Sequence, residues 1–177
     1  AIGSEKKSIL ENDKLKIIFS NKGGRITSVI LKEFQTYDSL PLQIFDGDSS
    51  KFNLQFSIGK GIETENLYFV SRQNGNSLSM KLMANAMHYI EYIYTLNDDY
   101  VLDFDIRLVG MERLIPSEVN YMNLEWQMKT PQTEKSKSNQ DMYTGIQYQY
   151  SADKEVDYLS FTSSDKEKIS SKLTWVA

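Results

Sequence analysis

The strongest constraint on this chain is a two-residue period in its apolar side chains. Phe52, Leu54, Phe56 and Ile58 alternate with Asn53, Gln55 and Ser57. Leu78, Met80 and Leu82 alternate with Ser79 and Lys81, and Met122, Leu124, Trp126 and Met128 alternate with Asn123, Glu125 and Gln127. Successive side chains of a strand point to opposite faces, so each run predicts a half-buried strand with one wet side. A wet face points to antiparallel sheets, because parallel sheets are covered on both faces. The 11 Tyr and 8 Phe suit such a pleated surface. No long segment keeps the i, i+3, i+4, i+7 spacing of an amphipathic helix. The expected fold class is all-β, with Trp126 in the core beside Met122 and Leu124.

Turn chemistry joins some of these strands. Residues 88–97 and 101–109 flank Asp98-Asp99-Tyr100. A two-residue loop would set Tyr89, Glu91 and Ile93 across from Leu108, Ile106 and Phe104. A three-residue loop sets Ile90, Tyr92, Tyr94 and Leu96 across from Leu108, Ile106, Phe104 and Leu102, apolar against apolar, and this register is the one expected. It leaves Glu91 opposite Arg107 on the wet face as a cross-strand pair. It also asks a loop Asp to take a left-handed conformation. Lys22-Gly23-Gly24 predicts a second hairpin between residues 15–19 and 26–31, since paired glycines supply the positive φ of a tight reversal. Residues 131–140 are polar and aperiodic, an expected exposed loop. Ile146, Tyr148 and Tyr150 alternate with Gln147 and Gln149 as another strand, with Gly145 a candidate bulge. Residues 151–177 carry no pattern that assigns most of them.

Composition excludes several function classes. At 177 residues the chain fits one domain, assigned to 5–177, with the Ala-Ile-Gly-Ser of residues 1–4 read as a vector-derived leader. A formal net charge of -4 and dispersed Lys and Arg argue against nucleic acid, whose binding needs clustered cations. The absence of cysteine removes thiol catalysis, disulfides and Cys-based zinc sites. No apolar run approaches the ~18 residues needed to span a bilayer.

The candidate reactive groups mostly read as structure. His88 is the one histidine, on the same strand face as Ile90 and Tyr92. Acid–base epimerisation of a sugar would need an acidic partner facing it across a cleft. Asp98 and Asp99 suit a turn, and Asp103 and Asp105 alternate on a wet face beside Arg107 without calcium-loop spacing. Gly23-Gly24 has no following Lys-Ser/Thr and makes no phosphate cradle. Glu65-Asn66-Leu67-Tyr68-Phe69 copies the core of a tag-removal protease site, but Val70 stands where that site needs glutamine, so it is read as native sequence. Tyr143, Gln147 and Gln149 are placed together on one strand face, as a candidate peptide or sugar surface or an ordinary solvated face. No catalytic residue, cofactor or metal ligand is assigned.

Two patches resemble a known family. The run Leu10-Glu11-Asn12-Asp13-Lys14-Leu15-Lys16-Ile17-Ile18-Phe19-Ser20-Asn21-Lys22-Gly23-Gly24-Arg25-Ile26 is similar to the opening of the large periplasmic domain of YidC-type membrane protein insertases. The end, Ile169-Ser170-Ser171-Lys172-Leu173-Thr174-Trp175-Val176-Ala177, is similar to that family's Ile-Ser-Ser-x-x-x-Trp-Val-Ala exit. Here Lys172-Leu173-Thr174 replaces a stretch often rich in glycine. The resemblance implies a β-supersandwich of two twisted antiparallel sheets, galactose-mutarotase-like, with little helix and that mostly near the C-terminus. It implies a monomeric, non-catalytic interaction domain at the periplasmic face of the bacterial inner membrane, tethered there by membrane helices. Its implied partners are accessory subunits of the Sec translocon and nascent membrane proteins. Trp175 would anchor the C-terminal segment or sit near the lipid surface. The alternative on the same scaffold is a carbohydrate- or cell-envelope-binding module, which needs two or more exposed rings on one concave face.

Overall fold

The computed structural model describes residues 3–47, 50–58, 60–111, 122–152, 154–161 and 164–177. Among them the chain is nearly all β, as expected, with antiparallel sheets that build a sandwich and one short helix. It divides into two compact units, Ala1–Pro131 and Gln132–Ala177.

In the first unit, β1 (Lys7–Glu11), β2 (Leu15–Ser20), β3 (Arg25–Gln35) and β4 (Pro41–Asp46) form one sheet in chain order. Next come β5 (Lys51–Ile58), β6 (Lys60–Glu63), β7 (Val70–Asn74), β8 (Ser77–Met83), β9 (Tyr89–Leu96), β10 (Leu102–Val109) and β11 (Asn123–Gln127). They make a second sheet, ordered β10-β9-β8-β7, and a third, ordered β11-β5-β6. The alternating residues do what their period requires. Leu15, Ile17 and Phe19 of the first sheet, Leu78, Met80, Tyr92 and Tyr94 of the second, and Phe52 and Leu54 of the third are buried in one core. Phe19 meets Tyr94 at 4.8 Å and Phe52 meets Tyr92 at 5.8 Å between ring centroids, so the first and third sheets both pack on the second.

The 89–109 hairpin adopts the apolar register: Leu102 pairs with Leu96, Phe104 with Tyr94, Ile106 with Tyr92 and Leu108 with Ile90. The loop differs from expectation. Asn97 N–H donates to Val101 O (3.1 Å), yet Ser39 is the one non-glycine residue with positive φ among the described residues, so no loop Asp is left-handed. Glu91 also differs. It stands opposite Arg107 but is buried, with Lys81 Nζ 3.6 Å away and the Ser79 hydroxyl donating to it. The reason is position: β9 lies between β8 and β10, so long side chains flank Glu91 on both sides.

The Gly-Gly hairpin forms as expected, with φ of 76° at Gly23 and 63° at Gly24. Tertiary bonds clamp it. Tyr94 Oη donates to Gly24 O (2.7 Å), Gly23 N–H to Leu67 O (2.8 Å) and Phe69 N–H to Asn21 O (2.8 Å). The buried Asn21 side chain accepts Lys6 N–H (2.6 Å) and donates to Ser4 O and Phe69 O, both at 3.3 Å. One carboxamide thus ties the N-terminal strand, the turn and the 65–69 segment, whose Phe69 is a core residue.

Burial of two tyrosines makes stability sensitive to alkali. Burial pushes the Tyr92 phenol up to about 12, partly opposed by its hydrogen bond to Thr64, and pushes Tyr94 well above the usual value. Both folded-state pKa values are raised, so the unfolded chain releases these protons first. Their contribution is complete below the unfolded value of 10.0 and is lost as pH rises through the folded value of about 12 for Tyr92. Unfolding free energy should fall by roughly 2 kcal/mol between pH 10 and 12 from Tyr92 alone. Urea titrations across that range should show a shallower decline in Tyr92→Phe; an unchanged slope would exclude Tyr92 as the cause.

In the second unit, α1 (Lys137–Tyr143) precedes β12 (Gly145–Tyr150), which lies between β13 (Asp157–Ser160) and β14 (Leu173–Val176). Helix α1 replaces part of the expected 131–140 loop. Ser136 Oγ caps it by accepting Asn139 N–H (3.3 Å), and Gln140 Oε1 accepts Thr133 N–H (2.8 Å) and Glu134 N–H (3.0 Å). None of its residues is buried, so it leaves no apolar period to read. Gly145 is a site of close approach, not a bulge: a Cβ there would lie 2.0 Å from Tyr158 Cε2. The register shift falls at Gln149/Tyr150, against β14.

Candidate functional site: an open sandwich edge

The second and third sheets end at β10 and β11, and among the described residues no strand pairs with the outer edge of either. Leu124 pairs with Leu54 and Trp126 with Phe52. Directly paired residues share a face, so Leu124 and Trp126 lie on the core-facing side of their sheet. They are nevertheless 46% and 51% exposed, and Met122 and Met128, beyond the strand ends, are exposed as well. This corrects the core placement of Trp126. The alternation identified its face, but β11 is an edge strand, and the core layer is uncovered there.

A line of rings connects this edge to the interior. Tyr94 stacks on Phe104 at 4.7 Å, Phe104 meets Phe52 at 5.6 Å, and Phe52 meets Trp126 edge-on at 5.9 Å and 83°. Phe104 and Ile106 of β10 are only half-buried. On the other face, Lys51 Nζ lies 2.9 Å from Glu125 and 3.7 Å from Glu65. The hydrogen bond that the Lys51 ammonium donates to Glu125 holds its pKa above the usual range. Among the described residues no group of His, Asp and Glu is placed to hold a metal ion. What the edge offers is apolar surface beside backbone donors and acceptors that no described strand pairs, the two requirements for receiving an extended polypeptide.

The other sequence candidates fall elsewhere. His88 precedes β9, and its Nδ1 lies 2.8 Å from Asn85 Oδ1. It borders a cavity of about 180 Å³ lined by Ile62, Leu67, Leu82, Ile90 and Met111, with no carboxylate among the described lining residues. Arg25 borders two polar grooves, where its Nη1 donates to Gly47 O (2.8 Å) and to Ser50 Oγ.

The expected Tyr143, Gln147 and Gln149 face does not assemble as one strand face. Tyr143 is the last residue of α1 and 85% exposed, whereas Gln147 and Gln149 lie on β12. Gln149 is occupied: Oε1 accepts Trp175 Nε1–H (3.1 Å) and Nε2 donates to Lys154 O (2.9 Å). Trp175 thereby ties β14 to β12, beside the backbone pair of Gln147 and Ala177.

With the architecture in view, comparison with known proteins places the chain. Residues 9–177 match the family model described as YidC periplasmic domain, and the chain belongs to that family. It is 36% identical over 179 residues to the membrane protein insertase YidC of Phocaeicola vulgatus, covering 99% of this chain and 28% of that protein. The YidC of Bacteroides fragilis is 32% identical over 178 residues, with 99% and 29% covered. That of Porphyromonas gingivalis is 35% identical over 181 residues, with 99% and 28% covered. The chain therefore spans less than a third of the length of these relatives. No solved structure gives a significant match. No described helix is long and apolar enough to cross a membrane.

Proposed function

We propose that residues 5–177 act as one periplasmic, non-catalytic interaction domain of an inner-membrane protein insertase. It assists insertion by contacting extended segments of nascent membrane proteins and accessory subunits of the Sec translocon. The observation that carries this reading is the open edge, where Leu124 and Trp126 extend the core face into solvent beside strand edges that, among the described residues, no other strand pairs. An apolar face of this kind, next to unpaired backbone groups, favours a polypeptide over a sugar, which would be held by several rings on a concave face. Membership of a family whose relatives are named membrane protein insertases supports the same reading.

A photo-crosslinking probe at position 124 of the full-length protein in cells should capture exported segments or Sec subunits, and a probe at 147 should capture fewer. Trp126→Ala should remove most of that crosslinking at a stability cost of about 1 kcal/mol, the scale of one aromatic pair. Adducts confined to envelope saccharides would turn the reading to the carbohydrate-binding alternative. A Trp126→Ala variant that crosslinks like the parent would remove the edge from the function.

A further inference from the structure

The outer face of the second sheet carries a charge pattern that stops, unfinished, at β10. One row across the sheet runs Lys81, Glu91, Arg107, since Lys81 pairs with Glu91 and Glu91 with Arg107. Signs alternate along it, and Lys81 and Glu91 are already 3.6 Å apart. The next rows end at Asp105, beyond Ile93, and at Asp103, beyond Thr95. All three terminal residues are exposed. Among the described residues Asp105 and Arg107 have no ion-pair partner, and Asp103 only accepts Asn97 Nδ2–H at 3.0 Å. Between them Phe104, Ile106 and Leu108 point to the opposite, half-buried side. Edge strand β10 is eight residues long, enough to template another strand.

We propose that β10 accepts an extended polypeptide segment in antiparallel register, with apolar residues alternating with charged ones in the order acidic, basic, basic from its N-terminus. The acidic residue faces Arg107 and the basic residues face Asp105 and Asp103. The apolar residues lie beside Leu108, Ile106 and Phe104 and cover the exposed end of the core. Antiparallel pairing is chosen because every pair in this sheet is antiparallel and parallel pairing is somewhat less stable. Oppositely charged residues directly across a strand pair attract and like charges repel, so the pattern selects as well as binds. Strand β11 carries no such selection. Its Glu125 is paired with Lys51 and accepts Gln127 Nε2–H (2.8 Å), so it serves as apolar floor only. This proposal rests on the interaction reading above and names the kind of segment it would take.

The test uses the 177-residue chain and two capped peptides, Thr-Val-Glu-Val-Lys-Val-Lys-Val-Thr and its charge-exchanged counterpart Thr-Val-Lys-Val-Glu-Val-Glu-Val-Thr. The first should bind at least ten-fold tighter and slow hydrogen exchange at alternate amides of residues 102–109. The triple variant Asp103→Lys, Asp105→Lys, Arg107→Glu should reverse the preference, and Asp105→Lys alone should reduce it about three-fold. Equal affinities, no binding, an unreversed preference, or protection located away from β10 would each overturn the proposal. If preference is absent while Trp126-dependent crosslinking persists in cells, the charge pattern fails and the interaction reading stands. If preference reverses as stated but crosslinking is absent, β10 binds such segments and the interaction reading fails.

Discussion

Gly24→Ala is expected to lower the unfolding free energy by about 3 kcal/mol, read as a lower urea midpoint with an unchanged slope. Two effects add. Gly24 sits at φ 63°, where a side chain costs roughly 1–2 kcal/mol. A Cβ there would also lie 2.8 Å from Tyr92 Cδ2 and 3.3 Å from Phe69 Cδ1, inside the core. Overpacking of that kind costs about 1–3 kcal/mol. The turn cannot withdraw, because Tyr94 Oη holds the Gly24 carbonyl at 2.7 Å. Gly75 supplies the control: its φ is 58° but no atom lies within 4 Å of its added Cβ, so Gly75→Ala should show the backbone cost alone. Equal losses at the two glycines would show that the Tyr92 contact does not constrain the turn.

Phe69→Ala should cost about 4 kcal/mol, the range for an aromatic side chain removed from a packed core. Phe69 is 2% exposed, and its ring lies 4.8 Å from that of Tyr92. Its neighbour Val70 is 63% exposed, and Val70→Ala should change stability by less than about 0.5 kcal/mol. Unfolding followed by tryptophan fluorescence gives both values. If Phe69 tolerates truncation as Val70 does, the 65–69 segment is not the clasp on the Gly-Gly turn that its hydrogen bonds describe. Because Phe69 and Gly24 both touch Tyr92, a double variant should lose less than the sum of the two.

Legibility followed the range of the physics. The 89–109 hairpin was readable to the residue because both of its strands alternate and a one-residue slip would turn every apolar side chain to water. The Gly23-Gly24 reversal was readable because few other residues take positive φ in succession. Helix α1 was not: seven exposed residues held by a Ser136 cap and the Gln140 side chain carry no apolar period. Tyr143 went astray with it, read onto a strand when it ends the helix. The family resemblance at residues 10–26 and 169–177 extended to the whole matched span, 9–177.

By itself the sequence determined the class of fold, the faces of the alternating strands and the family, all properties of local spacing and short motifs. Only the tertiary structure decided which strands stand at sheet edges. Trp126 and Leu54 obey the same alternation, yet one is half exposed and the other buried, because β5 has neighbours on both sides and β11 has one. Glu91 and Asp105 likewise both occupy the outer face, but Glu91 lies between Lys81 and Arg107 while Asp105 ends its row. A period of two states which way a side chain points. What lies across from it depends on strand order, which forms only when distant segments pair.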